Sequence, residues 1–168
     1  MNLIFETERL LIRKLTPKDF ESYHKLFTDN QVIKYLSSVF FTKNEICSEF
    51  KEIIKNGSLE NGKIRIYGLE RKKDAAFIGS CYTWNHPNLS IEIGYVFFSS
   101  FWNNGYGSEY LKGKIDFLKA LDCKNIIAKI DSRNIASIRM VEKLQFIPIA
   151  SILNEFENCL EIEYQLLI

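Results

Sequence analysis

The sequence predicts one mixed α/β domain, and three observations carry that reading. Apolar periodicity changes along the chain in the order strand, helices, three strands, helix, strand, helix, two strands. The 168 residues suit one full core, and 46% of them are apolar, with 13 Phe and 8 Tyr to fill it. The three central strands are joined by short turns, so that block is expected to pair antiparallel.

Each element has its own signal. ERLLIRKL, Glu8 to Leu15, reads as the first strand. Thr16-Pro17 then opens a helix, with Thr as N-cap and Pro at the first helical position, and Phe20, Tyr23, Leu26 and Phe27 form its stripe. A second helical region covers Gln31 to Leu36. A third runs from Thr42 to Lys55 and stops at Asn56-Gly57. Lys63 to Glu70 and Ala75 to Trp84 read as strands joined by the charged turn Arg71 to Asp74. Asn85-His86-Pro87-Asn88 reads as the next turn, and SIEIGYVFF, Ser90 to Phe98, as the third strand of the block. A helix follows from Tyr106 to Leu121, with Leu111, Ile115 and Leu118 on one face. The strand Asn125 to Asp131 and the helix Asn134 to Leu144 precede two closing strands. In the last, Ile162, Tyr164 and Leu166 alternate to one side.

Composition excludes several function classes. A net charge of +1, from 22 basic and 21 acidic residues, leaves no basic footprint for nucleic acid and no polybasic membrane patch. No apolar run approaches a membrane span. The opening MNLIFETERL carries acids where a secretion signal needs basic residues, so a cytoplasmic protein is expected. Cys47, Cys81, Cys123 and Cys159 form no Cys-x-x-Cys pair, and His24 and His86 stand in unrelated contexts. No metal site is expected.

FWNNGYGSEYLK, Phe101 to Lys112, sets a glycine-rich turn between a strand and a helix. Such a turn frees backbone N–H groups to point one way, and the helix N-terminus adds partial positive charge, which together can hold phosphate oxygens. A tight turn that needs Gly only for its geometry reads the same way. The loop lacks the G-x-x-x-x-G-K-[ST] of a nucleotide triphosphate loop. It also fails the dinucleotide pattern, because the third glycine position is Tyr110 and no acidic residue is suitably placed downstream.

Four motifs in fixed order resemble the GCN5-related N-acetyltransferase (GNAT) superfamily, and within it the RimJ/RimL-type ribosomal-protein N-acetyltransferases. They are ETERLLIRKLTPKD from Glu6, IEIGYVFF from Ile91, FWNNGYGSEYL from Phe101 and NIASIRMVEKLQF from Asn134. The resemblance implies a single-domain GNAT fold over residues 1–168, with a mixed, mostly antiparallel sheet splayed between its fourth and fifth strands and flanked by helices. It implies acetyl-CoA as cosubstrate. The pantetheine arm would pair with the backbone of Tyr95, Val96 and Phe97, as an added strand does. The phosphate loop would be Asn103, Asn104, Gly105, Tyr106, Gly107 and Ser108. Asn134 would contact the CoA arm, and it also reads as a plain N-cap. The chain departs from the broad superfamily at Trp102, a residue this branch often has there, and from the branch at Asn103 and Asn104, where Gly and Lys are usual, and at Gln145 in place of Gly.

Acetyl transfer from a thioester needs a neutral amine, and a nearby carboxylate can take its proton. Glu92 is the candidate, because strand alternation puts it opposite Ile91, Ile93 and Tyr95, just before the expected splay. An exposed strand carboxylate is the competing reading. A backbone N–H near Val96 or Phe97 could stabilise the oxyanion. Many superfamily members place a Tyr in the C-terminal helix to protonate the thiolate, and that position here is Val141. The branch offers a Ser instead, which matches Ser137; a small packing residue is the alternative.

The acceptor side is expected from Thr28 to Gly62, Trp84 and the turn Asn154 to Asn158, with Tyr35, Phe40, Phe41, Trp84 and Glu92 as a wall. The implied partner is an amine on a peptide N-terminus, a polyamine or another small molecule, with a homodimer admissible. A domain of the same fold that binds acyl-CoA without turnover, as a sensor or partner module, is the second reading.

Overall fold

The computed structural model describes residues 3–36, 42–59, 63–154 and 159–168. Its frame is an eight-stranded sheet in the order β1-β2-β3-β4-β5-β6-β8-β7. The strands are β1 (Leu3–Glu6), β2 (Leu10–Lys14), β3 (Ile64–Arg71), β4 (Ala76–His86), β5 (Ser90–Phe97), β6 (Asn125–Asp131), β7 (Ile147–Asn154) and β8 (Cys159–Leu167). Every neighbouring pair is antiparallel except β5 and β6. β1 is an addition to the sequence reading, which began at Glu8. It moves the expected splay between the fourth and fifth strands to β5 and β6.

The helices are α1 (Phe20–Leu26), α2 (Asn30–Ile33), α3 (Lys43–Asn56), α4 (Tyr106–Lys119) and α5 (Ile135–Lys143). Thr16-Pro17 opens a short 3-10 turn, Pro17–Asp19, that leads into α1. α3 begins one residue after the expected start, with Thr42 as its N-cap accepting from Glu45 N, and Gly57 ends it, as expected, at φ 70°. The second helix is shorter than read and ends at Ile33. No helix among the described residues is long and apolar enough to cross a membrane.

Two apolar layers sandwich the sheet. Tyr23, Ile46, Phe50 and Ile53 from α1 and α3 pack with Leu15, Ile66 and Phe77 on one face. Tyr110, Leu111, Ile115 and Leu118 from α4 and Val141 from α5 pack with Leu10, Leu69, Ile93 and Ile126 on the other. Burial of this apolar area is the main stabilising term. Arg13 locks the first face from within. Its Nη1 and Nη2 each donate to Asp19 at 2.8 Å, and its Nε donates to Glu70 at 2.6 Å. Burial opposes charge on Asp19, but hydrogen bonds from Arg13 and Thr16 outweigh it and hold the carboxyl below its usual range.

β4 runs two residues beyond the expected strand end at Trp84, into the expected turn, so His86 lies in the strand. The reversal instead uses Asn88 and Leu89, at φ 60° and 56°. Gln145, where the family pattern has Gly, keeps the left-handed conformation at φ 68° just after α5.

Candidate active site

The sheet opens where β5 and β6 part. They pair at only three positions, Ser90 with Asn125, Ile91 with Ile126 and Glu92 with Ile127. Beyond that, β5 continues to Phe97 and β6 to Asp131 without pairing. β5 stays joined to β4 throughout. Along an antiparallel strand, alternate residues send their backbone groups to opposite sides. Phe98 N donates to Ile78 O of β4, and the Val96 carbonyl lies against Gly79, so Val96 faces β4. Tyr95 and Phe97 therefore turn their backbone groups to the gap. The Phe97 carbonyl is already taken by Trp102 Nε1 at 2.9 Å.

Glu92 is the last β5 residue before the gap. Its side chain is only 5% exposed, so it is not the surface carboxylate of the competing reading. It points away from Ile93 and the α4 layer, as strand alternation predicts. Three partners meet it. The Tyr82 hydroxyl donates to Oε1 at 3.1 Å, while His86 Nε2 and Lys129 Nζ lie 3.2 Å and 3.1 Å from Oε2. Gly94 makes this possible. A Cβ there would fall 1.9 Å from the Tyr82 ring, which lies across the glycine toward Glu92. Burial, then the Glu92 charge, holds the Tyr82 phenol well above its ordinary range. Trp84 stacks on His86 with ring centres 5.2 Å apart.

The opposite face of the gap carries hydroxyls. Tyr95 OH donates to Ser137 Oγ of α5 at 3.5 Å and faces Met140 Sδ at 3.6 Å. Burial raises the Tyr95 phenol, so it stays protonated. Asn134 is the N-cap of α5, its amide oxygen accepting from Ser137 N at 3.1 Å. Val141 is fully buried in the core and presents nothing to the gap.

The loop from Phe98 to Gly105 leads into α4. Asn103 takes φ 59° and Gly105 φ 77°, left-handed conformations that Asn and Gly tolerate. No side chain caps α4, because Gly105 is its N-cap. The first-turn N–H groups of Tyr106, Gly107 and Ser108 thus lack intrahelical acceptors. Arg9 braces this loop from β2's leading edge. Its Nη1 donates to Asn104 O at 3.1 Å, its Nε to Glu109 Oε2 at 2.6 Å, and its guanidinium sits 4.5 Å from the Tyr106 ring centre. Thr7 and the Arg9 backbone also donate to Glu109; burial works against its charge, but these bonds hold it below the usual range.

Residues 9–147 match the acetyltransferase (GNAT) domain family. The chain belongs to this GNAT family. An uncharacterized N-acetyltransferase, p20 of Bacillus licheniformis, is 29% identical over 143 residues, covering 83% of this chain and 80% of that protein. A GNAT-family acetyltransferase structure from Bacillus anthracis superposes with a TM-score of 0.82 at 25% identity, covering 99% of this chain and 98% of the other. A structure of RimL, a ribosomal L7/L12 alpha-N-protein acetyltransferase in complex with coenzyme A, gives 0.82 at 17% identity over the same shares. Against this GNAT frame, sequence reasoning named Glu92 and the loop but missed Tyr82, His86, Lys129 and Arg9. The first three needed the strand register. Arg9 stood in a quoted motif with no partner to give it a role. Of the expected acceptor wall, Phe40, Phe41 and residues 155–158 lie outside the described residues, and Tyr35 is half-buried with Lys34 above its ring. Among the described residues, no cluster of His, Cys, Asp and Glu could hold a metal.

Proposed function

We propose that the chain is an acetyl-CoA-dependent N-acetyltransferase acting on a primary amine in the cytoplasm. One observation carries this: the strands part immediately after a buried carboxylate, so a thioester threaded through the gap would stop beside it. The pyrophosphate would rest on the N–H groups of Asn103 to Ser108, with Asn134 along the CoA arm. The pantetheine amides would pair with Tyr95 and Phe97, the two residues whose backbone groups turn to the gap.

Glu92 would take the amine proton, directly or through water. The amine nitrogen then attacks the thioester carbon, and the oxyanion is met by a backbone N–H on the side of β5 that faces the gap, a side Val96 does not share. The C–S bond breaks and the thiolate leaves, with the Ser137 hydroxyl as a donor from the opposite face. The likeness to RimL supports a peptide N-terminal amine as one acceptor class. Small-molecule amines are the other.

A second reading, an acyl-CoA-binding module without turnover, has its own support: Lys129 and His86 already occupy Glu92. The two part in one experiment. Acetyl-CoA should raise the melting temperature while NAD does not. Amines should then release CoA thiol. A stabilised protein that never releases thiol is the module, and a protein that acetyl-CoA does not stabilise is neither.

A further inference from the structure

Glu92 does not face an empty approach, because an amine of the chain itself already sits beside it. Lys129 stands two residues beyond Ile127, the last β6 residue paired to β5, and so on the same face at the mouth of the gap. Its Nζ lies 3.1 Å from Glu92 Oε2, and its side chain is 34% exposed. His86 shares that oxygen, and Glu163 pairs directly opposite Lys129 on β8. A primary ammonium in contact with the carboxylate occupies the position that the reading above gives to the acceptor.

We infer that Lys129 is a self-acetylation site, modified by the chain's own acetyl transfer. The inference rests on the proposed acetyltransferase reading. The Lys129 ammonium gives one proton to Glu92, and the neutral nitrogen attacks the acetyl carbonyl carbon. The new C–N bond forms, the C–S bond breaks, and CoA leaves as thiolate, which takes up a proton. One of the two protons left on nitrogen departs to solvent as the amide forms, and the amide keeps the other. The product, N-acetyl-Lys129, is neutral, so Glu92 loses a cation from Oε2 and that oxygen becomes available to an incoming amine.

The test is to incubate the purified chain with acetyl-CoA and no other amine, then follow each lysine by peptide mass spectrometry. Lys129 should gain one acetyl group at a rate independent of protein concentration. It should outpace the exposed Lys73 and Lys124 by about tenfold or more, as a pre-positioned amine does. Glu92→Gln should abolish that preference and leave Lys73 and Lys124 as they were. If Lys129 reacts no faster than those two, while an added amine does release CoA thiol, the inference is overturned and the enzyme reading stands. If acetyl-CoA neither binds nor loses its acetyl group to any amine, both fall together.

Discussion

Two buried carboxylate clusters on the same sheet face have opposite characters. Around Arg13, all three groups are sealed: the side chains of Arg13, Asp19 and Glu70 are each about a tenth exposed or less, with contacts of 2.6 to 2.8 Å and a two-pronged grip on Asp19. Around Glu92 only the carboxylate is sealed. Lys129 and His86 are 34% and 28% exposed, and their contacts stretch to 3.1 and 3.2 Å. A closed cluster specifies a structure. A buried acid with partners that can withdraw to solvent can exchange one of them for a substrate.

The largest effect should come from breaking the open cluster. Glu92→Gln keeps shape and burial but removes the proposed proton acceptor. Acetyl transfer should slow by about 10²–10⁴-fold, read by thiol release, while the melting temperature moves little. Arg13→Met inverts that pattern. It leaves two carboxylates unpaired in the interior, which should cost about 3–5 kcal/mol of stability in denaturant titration, while the folded fraction keeps its transfer rate.

Gly94→Ala probes the support of the open cluster. The new methyl must displace the Tyr82 ring, costing about 1–3 kcal/mol and lowering the rate as the hydroxyl leaves Glu92. Acidification probes the closed one. Asp19 is held below its ordinary value when folded, so it binds fewer protons than the unfolded chain does. Its contribution is complete above the unfolded carboxylate range and should fade as pH drops below about 4, seen as a falling denaturation midpoint. The smallest effect lies outside both. Gln145→Gly relieves a left-handed backbone and should stabilise by roughly 1 kcal/mol, a rise of a few degrees in melting temperature.

The comparison also explains what was legible in the sequence. Thr42, Gly57 and the stripes of α1 and α4 act through neighbours three or four residues away, so local pattern carries them. The face of Glu92 followed from alternation alone. Its partners did not. Tyr82, His86 and Lys129 reach it from two other strands, through a register that no local period encodes. His86 was read into a turn because Asn-His-Pro-Asn is turn-forming, yet stacking on Trp84 and the Glu92 contact keep it in β4. β1 escaped notice because four residues at a chain end show too little alternation to count.

The central claim is that acetyl-CoA enters the gap between β5 and β6 and rests on the loop before α4. Amide hydrogen exchange with and without acetyl-CoA tests it most directly. The account predicts slowed exchange at Tyr95 and Phe97 and across Asn103 to Ser108, with no such change on adding NAD. Protection confined to other segments, or none at saturating acetyl-CoA, would contradict it.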